Sequence, residues 1–198
     1  MKDLWDERFA QEDYAYGFEP NDFLRESVSH LNPGGKVLCL AEGEGRNAVF
    51  LASAGFTVTA VDFSQAGKDK ALKLAEKHRV TIQYELADLN DYDMGQDRWD
   101  GIVCIFSHTP LPIRKHLLDN IPDALRPGGV FIAEGYNKGQ LAYSTGGPKD
   151  EDQMFSLEEF QTTFANFDRL HAGNVVRSII EGQFHTGTAS VTQFIARK

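Results

Sequence analysis

Val37-Leu-Cys-Leu-Ala-Glu-Gly-Glu-Gly-Arg-Asn-Ala48 is followed by Thr57-Val-Thr-Ala-Val-Asp62. An apolar run breaks into a glycine turn, a helix-like stretch follows, and a second apolar run ends on an acid. The pattern reads as strand, tight loop, crossover helix and second strand, half of a nucleotide-binding α/β unit. Val37, Leu38, Cys39 and Leu40 are all apolar, as a strand covered on both faces requires. A ligand pocket is then expected beyond the carboxyl ends of the strands.

Outward from this unit the alternation continues. Pro20-Asn-Asp22 starts a helix that buries Phe23, Leu24, Val28 and Leu31, and Asn32-Pro-Gly-Gly35 ends it. Arg46 to Ala54 reads as a helix closed by Gly55, and Ser64 caps the next one, through Ala71, Leu72, Leu74 and Ala75. Strands are expected over Thr81 to Leu86, Gly101 to Phe106 and Val130 to Ala133. A helix over Pro112 to Leu125 carries Pro122, which is expected to break it, and Leu125-Arg-Pro-Gly-Gly129 is a turn. This order implies a mostly parallel sheet with right-handed crossovers. Tyr136 to Met154 holds Gly139, Gly146, Gly147 and Pro148 with little periodicity, so residues 136–156 are a candidate lid loop. A helix begins near Phe155, with Ser156 as cap and Glu159 completing a capping box. Two strand-like runs, Leu170 to Ile180 and Thr188 to Ala196, flank a glycine-bearing turn and suggest an antiparallel hairpin.

The 198 residues fit one domain, 1–198, with residues 1–22 as an N-terminal segment. The formal net charge is −9 and no Lys/Arg cluster appears, which argues against nucleic acid and anionic membranes as partners. Cys39 and Cys104 lie inside apolar runs and read as buried thiols, with no metal site expected. The charged start Met1-Lys-Asp-Leu-Trp-Asp-Glu-Arg8 is unlike a signal peptide, no run is long enough to span a bilayer, and a cytoplasmic protein is the default expectation.

The chemistry gathers at three strand ends. Gly43 and Gly45 allow a sharp turn and close approach of a ligand. Gly43-x-Gly45-x-x-Ala48 also satisfies a dinucleotide fingerprint, yet Glu42 and Glu44 beside it would repel a pyrophosphate and suit an ammonium or sulfonium group. Asp62 closes the second strand where an acid commonly accepts a ribose diol, and Phe63 beside it can pack on an adenine face. Asp88-Leu89 at the third strand end is a second acid–apolar pair.

Here the chain resembles the class I S-adenosylmethionine-dependent methyltransferases over nearly its whole length, and within them the tellurite-resistance and thiopurine methyltransferase-like branch. Glu42-Gly-Glu-Gly45, Asp62, Asp88-Leu89 and Leu125-Arg-Pro-Gly-Gly129 match successive motifs of the class. Trp5-Asp-Glu-Arg-Phe9, Tyr16-Gly-Phe-Glu-Pro-Asn21, Gly45-Arg-Asn-Ala48 and Tyr143-Ser-Thr-Gly-Gly-Pro148 resemble the branch, whereas Cys39 and Ala41 stand where Asp and Gly are frequent. The resemblance implies a Rossmann-like, doubly wound, seven-stranded mixed sheet, mostly parallel with an antiparallel C-terminal strand. It implies S-adenosylmethionine as cofactor, held by Glu42, Gly43, Glu44, Gly45, Arg46, Asn47, Asp62, Phe63, Ser64, Asp88, Leu89 and Phe106, with Arg8, Tyr16 and the N-terminal aromatics folded over it.

Methyl transfer needs a base only if the acceptor must lose a proton. His108, Glu134 and Tyr136 stand at strand ends, and His108 and Tyr136 are the catalytic candidates. Ile105-Phe-Ser-His-Thr-Pro110 lacks the Asn-Pro-Pro-Tyr type motif of amide and base N-methyltransferases, which favours a small acceptor such as a soft sulfur, selenium or tellurium nucleophile. Two other readings stay open: an NAD(P)-dependent oxidoreductase, and a cofactor-binding protein without turnover. A monomer or homodimer is expected.

Overall fold

The computed structural model describes residues 2–198, and Met1 lies outside them. In chain order the elements are helix α1 (Lys2–Phe9), α2 (Asp22–Ser27), strand β1 (Lys36–Leu40), α3 (Arg46–Ser53), β2 (Thr57–Asp62), α4 (Gln65–His78), β3 (Gln83–Leu86), β4 (Trp99–Ile105), α5 (Leu111–Ala124), β5 (Leu125–Tyr136), α6 (Leu157–Thr163), β6 (Asp168–Glu181) and β7 (His185–Arg197). Single 3-10 turns occupy Val28–His30, Lys138–Ala142 and Glu151–Gln153.

The seven strands form one sheet in the order β3-β2-β1-β4-β5-β7-β6. Strands β1 to β5 pair in parallel, and β7 runs antiparallel to both β5 and β6. The order reverses between β1 and β4, so a crevice opens beyond their carboxyl ends.

Burial follows the two-residue period of a strand with both faces covered. Leu38 and Leu40 of β1 pack into the cluster built with Leu117, Ile121 and Phe160 of α5 and α6. Val37 and Cys39 pack the other way, with Leu24, Val49, Leu51 and Leu74 of α2, α3 and α4. Cys39 and Cys104 are buried free thiols. Among the described residues no helix is long and apolar enough to cross a membrane.

Several boundaries differ from the sequence expectation. Pro122 does not break α5, which continues to Ala124. The turn Leu125 to Gly129 is instead an irregularity within β5: pairing jumps from Trp99↔Leu125 to Gly101↔Val130, with Gly128 at φ 78°. Strand β3 is shorter than expected, and α1 was not foreseen at all.

Candidate functional site

A cavity of about 510 Å³ opens beyond the carboxyl ends of β1, β2 and β4. One side is formed by Ala41, Glu42, Gly43, Asp62, Phe63, Asp88 and Leu89. The other is formed by Phe106, His108, Gly146, Gly147, Phe184 and His185, and Trp5, Arg8, Phe9 and Tyr16 line it from the N-terminal segment. A shallower hollow of about 480 Å³ lies between α5 and α6, away from the strand ends, and its Arg114 is already paired with Glu159 at 2.9 Å. Position at the switch point, rather than volume, identifies the site.

The glycine turn is built for packing as much as for a ligand. Gly43 and Gly45 have φ of 60° and 89°. A Cβ on Gly43 would meet the Phe9 ring at 3.0 Å, and one on Gly45 would meet Ala71 Cβ at 2.5 Å. The missing side chains therefore let α1 and α4 close on the turn, and Gly45 does not face the cavity. Ala41 and Phe106, both cavity residues, hold the left-handed region at φ 51° and 50° without being glycine. Such strain collects at binding sites.

The four acids at the strand ends have separate tasks. Glu42 Oε1 accepts the N–H of Ala48 at 2.8 Å, so its carboxylate occupies the start of α3. Burial raises its carboxyl to about 7, against the pull of the Ala48 and Asn47 N–H groups and of Arg46. Glu44 faces the N-terminal segment: Oε2 accepts the N–H of Ala15 and Oε1 pairs with Lys70, both at 2.8 Å. Asp62 accepts N–H groups of Gly43 at 3.1 Å and Ser64 at 3.0 Å, which ties the glycine turn to the end of β2. Asp88 is exposed at the rim, with Oδ1 accepting the N–H of Asn90.

Three expected site residues do not line the cavity. Ser64 is fully buried, caps α4 through the N–H of Gly67, and donates to Asp6. Gly45 sits under α4. Tyr136 is fully buried beneath Gly147, whose Cβ would lie 2.6 Å from its ring. Glu134, also fully buried, is consumed by Asn21, Arg177 and Gln193. His108 does line the cavity, but Nδ1 lies 3.0 Å from the Gln153 carbonyl oxygen and Nε2 accepts the N–H of Tyr136 at 3.2 Å. That pairing fixes a neutral imidazole with its proton on Nδ1 and no ring nitrogen free for a substrate. The loop after β5 is fastened to β7, since Gln140 accepts the N–H of Ser190 at 2.9 Å and Thr145 donates to the Thr188 carbonyl.

Burial lowers His108 from 6.5 to about 3. The folded state then binds fewer protons than the unfolded one across that window, so this stabilisation is full above about pH 6.5 and is lost as pH falls toward 3. Glu42 acts with the opposite sign between 4.5 and about 7, losing stabilisation as pH rises. The two nearly cancel, so His108 is isolated by difference. Relative to wild type, His108→Gln should gain roughly 2 kcal/mol on going from pH 7 to 5 in urea unfolding. Parallel pH profiles would overturn this account of His108.

Residues 37–129 match the family model described as "Methyltransferase domain". The chain is 29% identical over 129 residues to a ubiquinone biosynthesis O-methyltransferase of Actinobacillus pleuropneumoniae, covering 62% of this chain and 54% of that protein. It thus spans about half the length of that relative. In fold it is similar to TehB from Haemophilus influenzae, with a TM-score of 0.74 at 18% identity, over 100% of this chain and 66% of that one. It is also similar to the 1,6-didemethyltoxoflavin-N1-methyltransferase of Burkholderia thailandensis, whose structure holds S-adenosylhomocysteine, with a TM-score of 0.64 at 19% identity over 99% and 81% of the two chains.

Proposed function

We propose that this chain, which matches the methyltransferase-domain family over residues 37–129, transfers a methyl group from S-adenosylmethionine to a small-molecule acceptor. The observation that carries this reading is Glu42. In a dinucleotide enzyme the helix after the glycine turn offers its free N–H groups to a pyrophosphate. Here the N–H of Ala48 is already held by the Glu42 carboxylate, which also lines the cavity. An anion is disfavoured there, and a cationic ligand would draw the raised Glu42 carboxyl into its charged form.

The remaining residues fit the adenosyl group. Asp62 keeps lone pairs beyond the two N–H groups it accepts, enough for a ribose hydroxyl. Phe63 and Leu89 supply apolar surface for an adenine ring, and Asp88 an acceptor for its amino group. Arg46, Asn47, Arg8 and Tyr16 stand at the aminoacid end, with Arg8 donating to the Tyr16 hydroxyl at 2.8 Å. The bound cofactor supplies an electrophilic methyl on a positive sulfur. The protein's part is to align the acceptor against it and to exclude water. Relatives that methylate oxygen support a hydroxyl acceptor; the absent amide-type motif after β4 supports a soft sulfur, selenium or tellurium nucleophile.

Calorimetric titration with S-adenosylmethionine, S-adenosylhomocysteine and NADH is the test. The first two should bind and NADH should not. Binding of NADH alone would transfer the chain to the oxidoreductases.

A further inference from the structure

The far wall of the cavity carries a pair of side chains at the two ends of the β6–β7 turn. Glu181 closes β6 and His185 opens β7. His185 lines the cavity and is only 6% exposed. Its ring packs against Tyr16 at 4.4 Å between centroids, Phe106 at 4.6 Å and the Tyr136 ring edge at 5.1 Å. Nδ1 is buried, has no hydrogen-bond partner, and lies 3.8 Å from Glu181 Oε2. That carboxylate cannot swing away: Arg46 holds the same oxygen at 2.7 Å and Asn21 holds the other at 2.8 Å. Burial opposes its ionisation, but Arg46, His185 and Asn21 outweigh burial and bring it down to about 2. His108, which spends both ring nitrogens on backbone groups, offers nothing comparable.

We propose that His185, oriented by Glu181, is the base that removes the acceptor's proton, and that the acceptor is a hydroxyl or thiol carried on a flat apolar body. The inference rests on the methyltransferase reading above. A carboxylate facing Nδ1 selects the tautomer with its proton there and leaves Nε2 as the acceptor edge, the logic of a base held by a third group. The 3.8 Å gap is of the kind that closes when a ligand compacts the site. Tyr16, Phe106 and Phe184 around the ring supply the surface for a planar partner.

The balance is simple. The X–H proton passes to Nε2, and the pair it leaves forms the X–methyl bond. The pair of the broken methyl–sulfur bond stays on sulfur, whose positive charge is thereby neutralised. His185 later returns its proton to water. Glu181, which touches neither reactant, is a positioning residue that favours the imidazolium so formed. The charged and titratable groups facing His185 are Glu181 of β6, Arg46 of α3, Arg8 and Tyr16 of the N-terminal segment, His108 after β4 and Tyr136 of β5. Burial and the two arginines outweigh Glu181 and keep the ring neutral near pH 7.

The test has two arms on the full chain. In the S-adenosylhomocysteine complex, nitrogen NMR of the imidazoles should show His185 protonated on Nδ1 and bare on Nε2, with its pKa falling in Glu181→Gln. With S-adenosylmethionine, His185→Gln should lose 100-fold or more in kcat toward a catechol, whose hydroxyl keeps its proton near pH 7, while S-adenosylhomocysteine affinity stays within about twofold. The ratio of catechol to aryl thioether turnover should fall with it, because a thioether has no proton to give. His185 protonated on Nε2, or a His185→Gln enzyme with undiminished kcat, would overturn the proposal. If none of these acceptors turns over, the NMR arm decides. Failure of the wild type to bind S-adenosylmethionine would instead sink the methyltransferase reading itself.

Discussion

Gly45→Ala is expected to destabilise the protein by about 3–5 kcal/mol, a large part of what holds a domain of this size together. Two costs add. The residue sits at φ 89°, where an alanine is strained, and its Cβ would lie 2.5 Å from Ala71 Cβ and 2.8 Å from Ala71 Cα. A backbone atom of α4 cannot be rotated out of the way, so α4 must lift from the glycine turn. Gly55 separates the two costs. It has φ 93° and nothing within 4 Å of its virtual Cβ, so Gly55→Ala carries only the backbone term, about 1 kcal/mol. Urea unfolding of both variants checks this. Equal midpoints would mean that α4 does not press on the turn.

Asp62→Ala is expected to weaken S-adenosylhomocysteine binding by about 100-fold, the scale of leaving a buried donor unpaired and losing a ligand contact together. The carboxylate anchors Gly43 and Ser64 and presents its remaining lone pairs to the cavity. Without it the N–H of Gly43 is buried and unsatisfied, and the turn loses its register against β2. Asp62→Asn keeps one acceptor oxygen but sets an amide NH2 against a backbone donor, so it should recover only part of the affinity. Calorimetry with circular dichroism as a folding control is sufficient. Unchanged affinity in a folded Asp62→Ala protein would remove Asp62 from the cofactor site.

Much of the central sheet could be read from the chain because its strands are buried on both sides. Val37 to Leu40 and Thr57 to Val61 are apolar or β-branched runs too short for a helix, and Gly55 marks where a helix must stop. Helix α1 could not be read, because Leu4, Trp5 and Phe9 among five charged residues give it little apolar stripe. It is held by contacts far along the chain, the Phe9 ring on Gly43 and Asp6 on Ser64. At the site, the glycine turn and strand-end acids were visible as local motifs. What each acid binds was not: Glu44 looked like a partner for a cationic ligand, yet it pairs with Lys70 and Ala15, 26 and 29 residues away. The Glu181–His185 pair was hidden for the same reason. It falls inside an ordinary hairpin turn, and only Arg46, 135 residues earlier, makes it a constellation.

The two walls of the cavity come from different stretches of the chain. One wall, from Ala41 to Leu89, is drawn from β1, β2 and the segment after β3, whereas the face bearing Phe184 and His185 comes from the β6–β7 hairpin. The two walls are nonetheless welded together, because Glu181 of the hairpin holds Arg46 and Asn21 and His185 packs on Tyr16, so a change in one wall is felt by the other.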